Sequence, residues 1–266
     1  MTALLPTRMV AKPWGRDALP APFAAPPGQR IGEVWFEPPP ELPGLLVKYI
    51  FTSEKLSVQV HPSDAQLPGH GKEECWLVIA AEPGAALGIG FREPLSRGAM
   101  RKAALDGSIE HLLAWHPVRA GDFFYIPAGT VHAIGAGVSL IEVQQTSEVT
   151  YRLYDYGRPR ELHLDQGLAV ARGEVHPADY RRHVPGSGNV TLVDGPLFRL
   201  DWIEGLPDAA TVMRYGFAAL LIIPRSGDAG VAGKMIAPGN CALAASLDEL
   251  LFDSSGSCLI AQPCGT

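Results

Sequence analysis

The residues of this chain best suited to chemistry sit in three short segments of its first half. Residues 121–135, GDFFYIPAGTVHAIG, have the punctuation of a β-hairpin that delivers one histidine, His132, to a fixed place. Gly121-Asp122 is turn chemistry, and Phe123 to Ile126 is a short apolar run of strand type. Pro127-Ala128-Gly129 breaks that run, because proline donates no ladder hydrogen bond and glycine accepts positive φ. A second strand opens at Val131-His132. A lone histidine does not hold a catalytic metal, and its companions are found in LSVQVHP, residues 56–62. Gln59 and His61 are two apart there, so they project from one face of a strand while Val58 and Val60 take the other. A further donor lies in GKEECWLVI, at Glu74 or its neighbour Glu73. Two nitrogens and two oxygens, one of them a carboxylate, suit Zn(II), with Mn, Fe or Co able to substitute.

The elements that must hold these donors are short strands. From Leu45 to Leu153 the segments LLVKYIFT, LSVQVHP, CWLVIAAE, AALGIGF and VSLIEVQQTSEVTYRLYDY alternate with turns, which predicts a sandwich or jelly roll. The 29 glycines and 24 prolines suit such tight connections. The proline-rich residues 1–45 exclude long helices and are expected as extended segments and edge strands. Residues 97–117 interrupt the pattern as a helical insertion, with Ala103, Leu105, Ile109, Leu112 and Leu113 spaced near 3.6. Residues 161–172, ELHLDQGLAVAR, read as a linking helix closed by Gly173. The expected division is a metal-binding domain over 1–160, a linker over 161–175 and a second β domain over 176–266. The second block has a turn centred on Gly239, but Ala245 stands where Pro127 would and no histidine follows. If it is a second barrel, it has lost its metal apparatus.

The formal charge of −6 gives no reason to expect nucleic acid or an anionic membrane as partner. No apolar run reaches the roughly 18 residues of a membrane span, and the N-terminus lacks the pattern of a secretion signal, which points to the cytoplasm. Cys75, Cys241, Cys258 and Cys264 have no metal-site spacing and read as free thiols. His70, His111, His116, His163, His176 and His183 have no ligand-like neighbours and are expected on the surface or in packing. Trp14 and Trp35 could line a pocket mouth, but core packing is the expectation for both.

The spacing Gly121, Pro127, Gly129, His132 resembles the second signature of the cupin family, which implies a small β-barrel with His132 pointing inward to a divalent metal. Lys12-Pro13-Trp14-Gly15, Gly32-Glu33-x-Trp35, LSVQVHP, GKEECW, GDFFYIPAGTVHAIG and TYRLYDYGR resemble, in this order, the short bacterial form of the type I mannose-6-phosphate isomerase family. The likeness covers about residues 10–160 and the linking helix; the last ~90 residues diverge. Val34, between Glu33 and Trp35, replaces the family's usual serine. The resemblance implies a cupin jelly-roll barrel followed by a degenerate cupin-like domain. It implies one zinc per chain, held by Gln59, His61, Glu74 and His132. It further implies interconversion of mannose 6-phosphate and fructose 6-phosphate through an enediol. Arg152 would steady the enediolate or phosphate, Lys72 would relay a proton or bind phosphate, and Ser57 would contact phosphate. Glu148, Lys72 and a water on the metal are the candidates for the base. The partner expected is a small sugar phosphate, with the chain a monomer or weak homodimer. Two other readings stay open: another metal-dependent cupin enzyme such as an oxygenase, and a non-catalytic sugar-phosphate-binding regulator. The complete polar set argues against the regulator.

Overall fold

The computed structural model describes residues 3–264. Its strands are antiparallel throughout the named sheets, and they stack in layers. A seven-stranded sheet runs, in spatial order, through Arg181–His183, Asp122–Ile126, Glu74–Ala81, Val138–Gln145, Leu45–Phe51, Ile31–Phe36 and Thr7–Arg16. A five-stranded sheet runs through Tyr151–Tyr154, Val58–Val60, His132–Ile134, Ala86–Phe91 and Leu113–Pro117. Trp76, Val78, Phe124, Ile126 and Leu140 of the larger sheet meet Leu87, Ile89 and Ile134 of the smaller in one buried core. The two sheets therefore form a barrel of the cupin jelly-roll type.

Both outer faces of the barrel are covered. Val58, Val60, Val131, Ala133 and Leu153 pack under the helices Arg97–Asp106, Ile109–Leu112 and Leu164–Val170. Val47, Tyr49, Phe51, Ile141 and Val143 pack against Leu200, Leu221, Ile223, Leu243 and Leu259 of the C-terminal sheet. That six-stranded sheet includes Leu220–Ser226, Ser257–Pro263 and Phe198–Glu204, and with a three-stranded sheet it encloses its own apolar core. A strand buried on both faces should read as a continuous apolar run. Leu45–Phe51, LLVKYIF, does so with one exception, Lys48, and every residue of it is buried.

The structure departs from the sequence expectations in four places. The two strands of residues 121–135 do not pair as a hairpin. Asp122–Ile126 pairs with Glu74–Ala81, whereas His132–Ile134 pairs with Val58–Val60 and Ala86–Phe91 in the opposite sheet. The Pro127-Ala128-Gly129 break is thus a crossover between sheets, and local turn chemistry is the same for both. The helical insertion ends at Leu112; Leu113–Pro117 is a strand, because Leu113 and Trp115 pair against Phe91 and Gly88. The linking helix is short, Leu164–Val170, and its buried Leu168 and Val170 cover the barrel rather than bridge two bodies. Strands also cross the expected division. Arg181–His183 extends the barrel's large sheet, while Ala3–Leu4 pairs with Ala242–Ala244 of the C-terminal sheet. The four cysteines are free, as expected, and no described helix is long and apolar enough to cross a membrane.

The crossover is pinned. Gly129 has φ +84°, its N–H donates to the His61 carbonyl at 2.8 Å, and its own carbonyl accepts from Arg172 N at 2.8 Å. A Cβ on Gly129 would lie 2.8 Å from Arg172 Nε and 3.0 Å from the Val170 carbonyl. Gly129→Ala is therefore expected to lose about 1–3 kcal/mol of stability, combining the left-handed backbone penalty and the clash. Denaturant titration checks this, and a neutral substitution would show the crossover to be soft.

Candidate metal centre and its cavity

Register brings the donors together. His132 and Arg152 each lie directly opposite Gln59 on the two flanking strands, so all three side chains share the barrel-facing side of the small sheet. Glu74 comes from the facing sheet, at the start of Glu74–Ala81. One ligand-bearing atom from each of His61, Glu74 and His132 falls within 4.8 Å of the others. His61 Nε2 is 3.6 Å from Glu74 Oε2, and His132 Nε2 is 3.4 Å from Glu74 Oε1. All three side chains are almost wholly buried.

The tautomers suit metal binding. His61 Nδ1 lies 2.9 Å from the Val149 carbonyl and His132 Nδ1 lies 2.9 Å from the Thr130 carbonyl, so each ring gives its proton to the backbone. Both Nε2 lone pairs are left facing the carboxylate, which is the orientation that second-sphere carbonyls impose on ligating histidines. Burial pushes His132 down to about 4 and His61 well below its ordinary value, so both rings are neutral. Burial raises Glu74 to about 7 against the pull of Lys72. Lys72 Nζ is ion-paired with Glu74 Oε2 at 2.7 Å, and among the described residues no other donor reaches either oxygen. A buried carboxylate with no donor on Oε1, flanked by two imidazole lone pairs, fits a divalent cation. Glu73, the alternative donor, points away: it bonds the Tyr125 hydroxyl on the other side of the strand.

Gln59 stands beside this cluster with its amide turned differently. Its Nε2 is 3.2 Å from His132 Nε2 and its Oε1 accepts from Ser57 Oγ at 3.2 Å. The amide oxygen reaches the centre only in the opposite amide orientation.

The cluster adjoins an open cavity of about 250 Å³. Ser57, Lys72, Glu148 and Arg152, all singled out in the sequence, line it. Trp14 and Trp35 are buried as expected, yet they line it too. Sequence reasoning missed Lys12, Glu33, Lys48, Glu142 and Arg160, which supply the rest of its charged wall. Lys48, Glu142 and Trp76 are directly opposite one another across three strands. Lys48 Nζ bonds Glu142 Oε1 at 3.0 Å and Gln144 Oε1 at 2.6 Å, and Trp76 Nε1 donates to Glu142 Oε2 at 3.0 Å. The available signal was a single charge inside each of two almost wholly buried strands, LLVKYIF and VSLIEVQQ.

Burial alone would raise Glu142, but Lys48 and Lys72 hold it down at about 2, below its ordinary 4.5. A carboxylate depressed in the folded state contributes stability above the unfolded pKa and loses it as pH falls from about 4.5 toward 2. Lys48→Met strands that charge and is expected to cost roughly 3–5 kcal/mol at neutral pH. The deficit should shrink in acid, where Glu142 can protonate. Equal losses at pH 7 and pH 4 in denaturant titrations would exclude a charge origin.

Fold and site together define a cupin-type barrel with an inward-facing centre able to hold a divalent metal. No family model matches the chain. Among curated proteins, the mannose-6-phosphate isomerase of Streptococcus mutans is 46% identical over 136 residues, covering 47% of this chain and 43% of that protein. The chain spans about half the length of the curated relatives it matches, of which that of Streptococcus mutans and one of Bacillus subtilis are named mannose-6-phosphate isomerase without qualification. Among solved structures, the mannose 6-phosphate isomerase of Bacillus subtilis superposes with TM-score 0.82 at 24% identity, covering 97% of this chain and 98% of that one. A zinc-bound mannose 6-phosphate isomerase superposes with TM-score 0.72 at 13% identity, covering 98% and 99%. The fold is that of the phosphomannose isomerases, over the whole described chain.

Proposed function

We propose that this chain is a zinc-dependent aldose–ketose isomerase acting on mannose 6-phosphate and fructose 6-phosphate. The observation that carries the reading is the buried Glu74 carboxylate, its Oε1 without a hydrogen-bond donor, between two imidazole lone pairs at a cavity walled by cations. The curated relatives are named for this reaction. His61, Glu74 and His132 would hold the zinc, with Gln59 as fourth ligand once its amide is reversed. The metal would supply positive charge where an enediolate develops.

The reaction moves a proton from C2 to C1 of the opened sugar. Removing a C–H proton beside a carbonyl needs a base in reach and fixed positive charge near O1 and O2. Lys72 suits the second task. Burial would lower its pKa, but the charges of Glu74 and Glu142 raise it, which favours the ammonium form. Glu142 is committed to Lys48 and Trp76. Glu148 lines the cavity and, unlike Glu33 and Glu142, forms no ion pair among the described residues. We therefore assign the proton transfer to Glu148. Trp14 and Trp35 also wall the cavity.

The test is a coupled assay with mannose 6-phosphate, run beside glucose 6-phosphate and unphosphorylated mannose. Turnover confined to mannose 6-phosphate is expected. Equal rates on unphosphorylated mannose, or none on any hexose phosphate by zinc-loaded protein, would overturn the reading.

A further inference from the structure

Two guanidinium groups, Arg152 and Arg160, share the cavity wall. Of the cavity's five cations, Lys12, Lys48, Lys72 and Arg160 each have a carboxylate oxygen within 3.2 Å, from Glu33, Glu142, Glu74 and Asp155 respectively. Arg152 has no such partner among the described residues. Its Nη1 donates to the Glu161 carbonyl at 2.5 Å, and its Nε is buried without an acceptor. An unpaired, half-buried guanidinium beside a second one is a standing demand for an anion.

Asp155 explains how the second guanidinium comes to be there. It lies just past the strand Tyr151–Tyr154 and is only 2% exposed. Arg160 grips it with a two-toothed fork, Nε to Oδ2 and Nη2 to Oδ1, both at 2.6 Å. That grip uses Nε and Nη2, and Arg160 Nη1 has no hydrogen bond among the described residues. Arg158 also reaches Asp155, at 3.3 Å, but its stronger bonds run elsewhere, to Glu54 Oε2 and the Lys55 carbonyl, each at 2.9 Å. One buried carboxylate thus sorts two nearby arginines, and only Arg160 lines the cavity. Burial and the charge of Arg160 both hold Arg152 below its ordinary value, as expected of two cations on one wall.

We propose that Asp155 is a positioning residue that holds Arg160 beside Arg152, and that the two guanidiniums together grip the dianionic phosphate of the substrate. The identity of the sugar rests on the isomerase reading above; the anion site does not. Asp155 cancels one of the two positive charges, so the pair persists without ligand yet retains net attraction for a dianion. A charge-assisted bidentate contact can be worth one to two orders of magnitude in affinity.

The test uses the full chain loaded with zinc, with inorganic phosphate as the calorimetric probe and mannose 6-phosphate as the assay substrate. Arg160→Ala and Asp155→Asn are each expected to weaken phosphate binding roughly 10- to 100-fold. KM should rise by a matching factor with kcat nearly unchanged. Arg160→Lys, which keeps the charge but not the fork, should fall between. A purely structural Asp155 would lower the melting temperature and leave phosphate affinity of the folded protein intact. Should Asp155→Asn fail to fold, the partly exposed Arg160→Ala carries the same measurement. Unchanged phosphate affinity in Arg160→Ala overturns the proposal. Phosphate binding that needs Arg160, in a protein inactive on mannose 6-phosphate, supports the anion site and sinks the isomerase reading alone.

Discussion

Glu74→Gln is expected to reduce turnover by at least about a thousandfold and to abolish tight zinc binding, while leaving the barrel folded. The amide keeps the size of the carboxylate but removes the one formal negative charge among the proposed ligands. In a site with almost no solvent, that charge offsets the cost of bringing in a divalent ion. It also leaves Lys72 without its 2.7 Å partner, which adds a second cation to a centre that must hold one. His132→Ala should act in the same direction by removing a lone pair, and chelation of the native protein should mimic both. Zinc content by atomic spectroscopy and the coupled assay read the effect together. A Glu74→Gln protein that retains one tightly bound zinc and native turnover would overturn the ligand assignment. The metal-free protein should lose stability as well, because the substitution leaves the buried Lys72 ammonium without its 2.7 Å partner. Denaturant titration of both proteins in chelator checks that point.

Glu148→Gln is expected to lower kcat by about 100- to 10,000-fold, the range for loss of a positioned general base, with KM and zinc content near native. Glu148 is exposed and bonded to nothing among the described side chains, so its replacement disturbs no packing. This separates it from Lys48, Lys72 and Glu142, whose substitution strands a buried partner. Exchange of the C2 hydrogen with solvent should fall in step with kcat. Full activity in Glu148→Gln would move the proton transfer to another group. Loss of KM alone would make Glu148 a binding residue.

Much of the metal centre was legible in the sequence because its parts are local. Gln59 and His61 sit at strand spacing two, which by itself puts both on one face, and the structure places Val58 and Val60 in the outer core. The break before His132 marks where a strand must start. Long-range matters were not legible. Nothing between residues 121 and 135 says whether the two strands pair with each other or divide between sheets, because Pro-x-Gly chemistry serves either outcome. The division is decided by which neighbouring edges are free, and here it sets His132 opposite Gln59.

The cavity wall shows the same limit. Lys48 and Glu142 lie 94 residues apart and become a hydrogen-bonded pair only through the register of two central strands. Trp35 joins that same rung from the next strand. Arg158 and Arg160 are nearly identical in local sequence terms, yet one turns to Glu54 and the other to the cavity. Residue type, alternation and turn chemistry alone determined that this chain is a β protein presenting histidines and a carboxylate from strands. Tertiary structure decided which sheet each strand joins and which charges meet. It also decided that Glu74 lies buried between two imidazoles, with no donor on its Oε1. The reason is that side-chain direction follows from local geometry, whereas burial and charge pairing depend on segments brought together only when the sheets close.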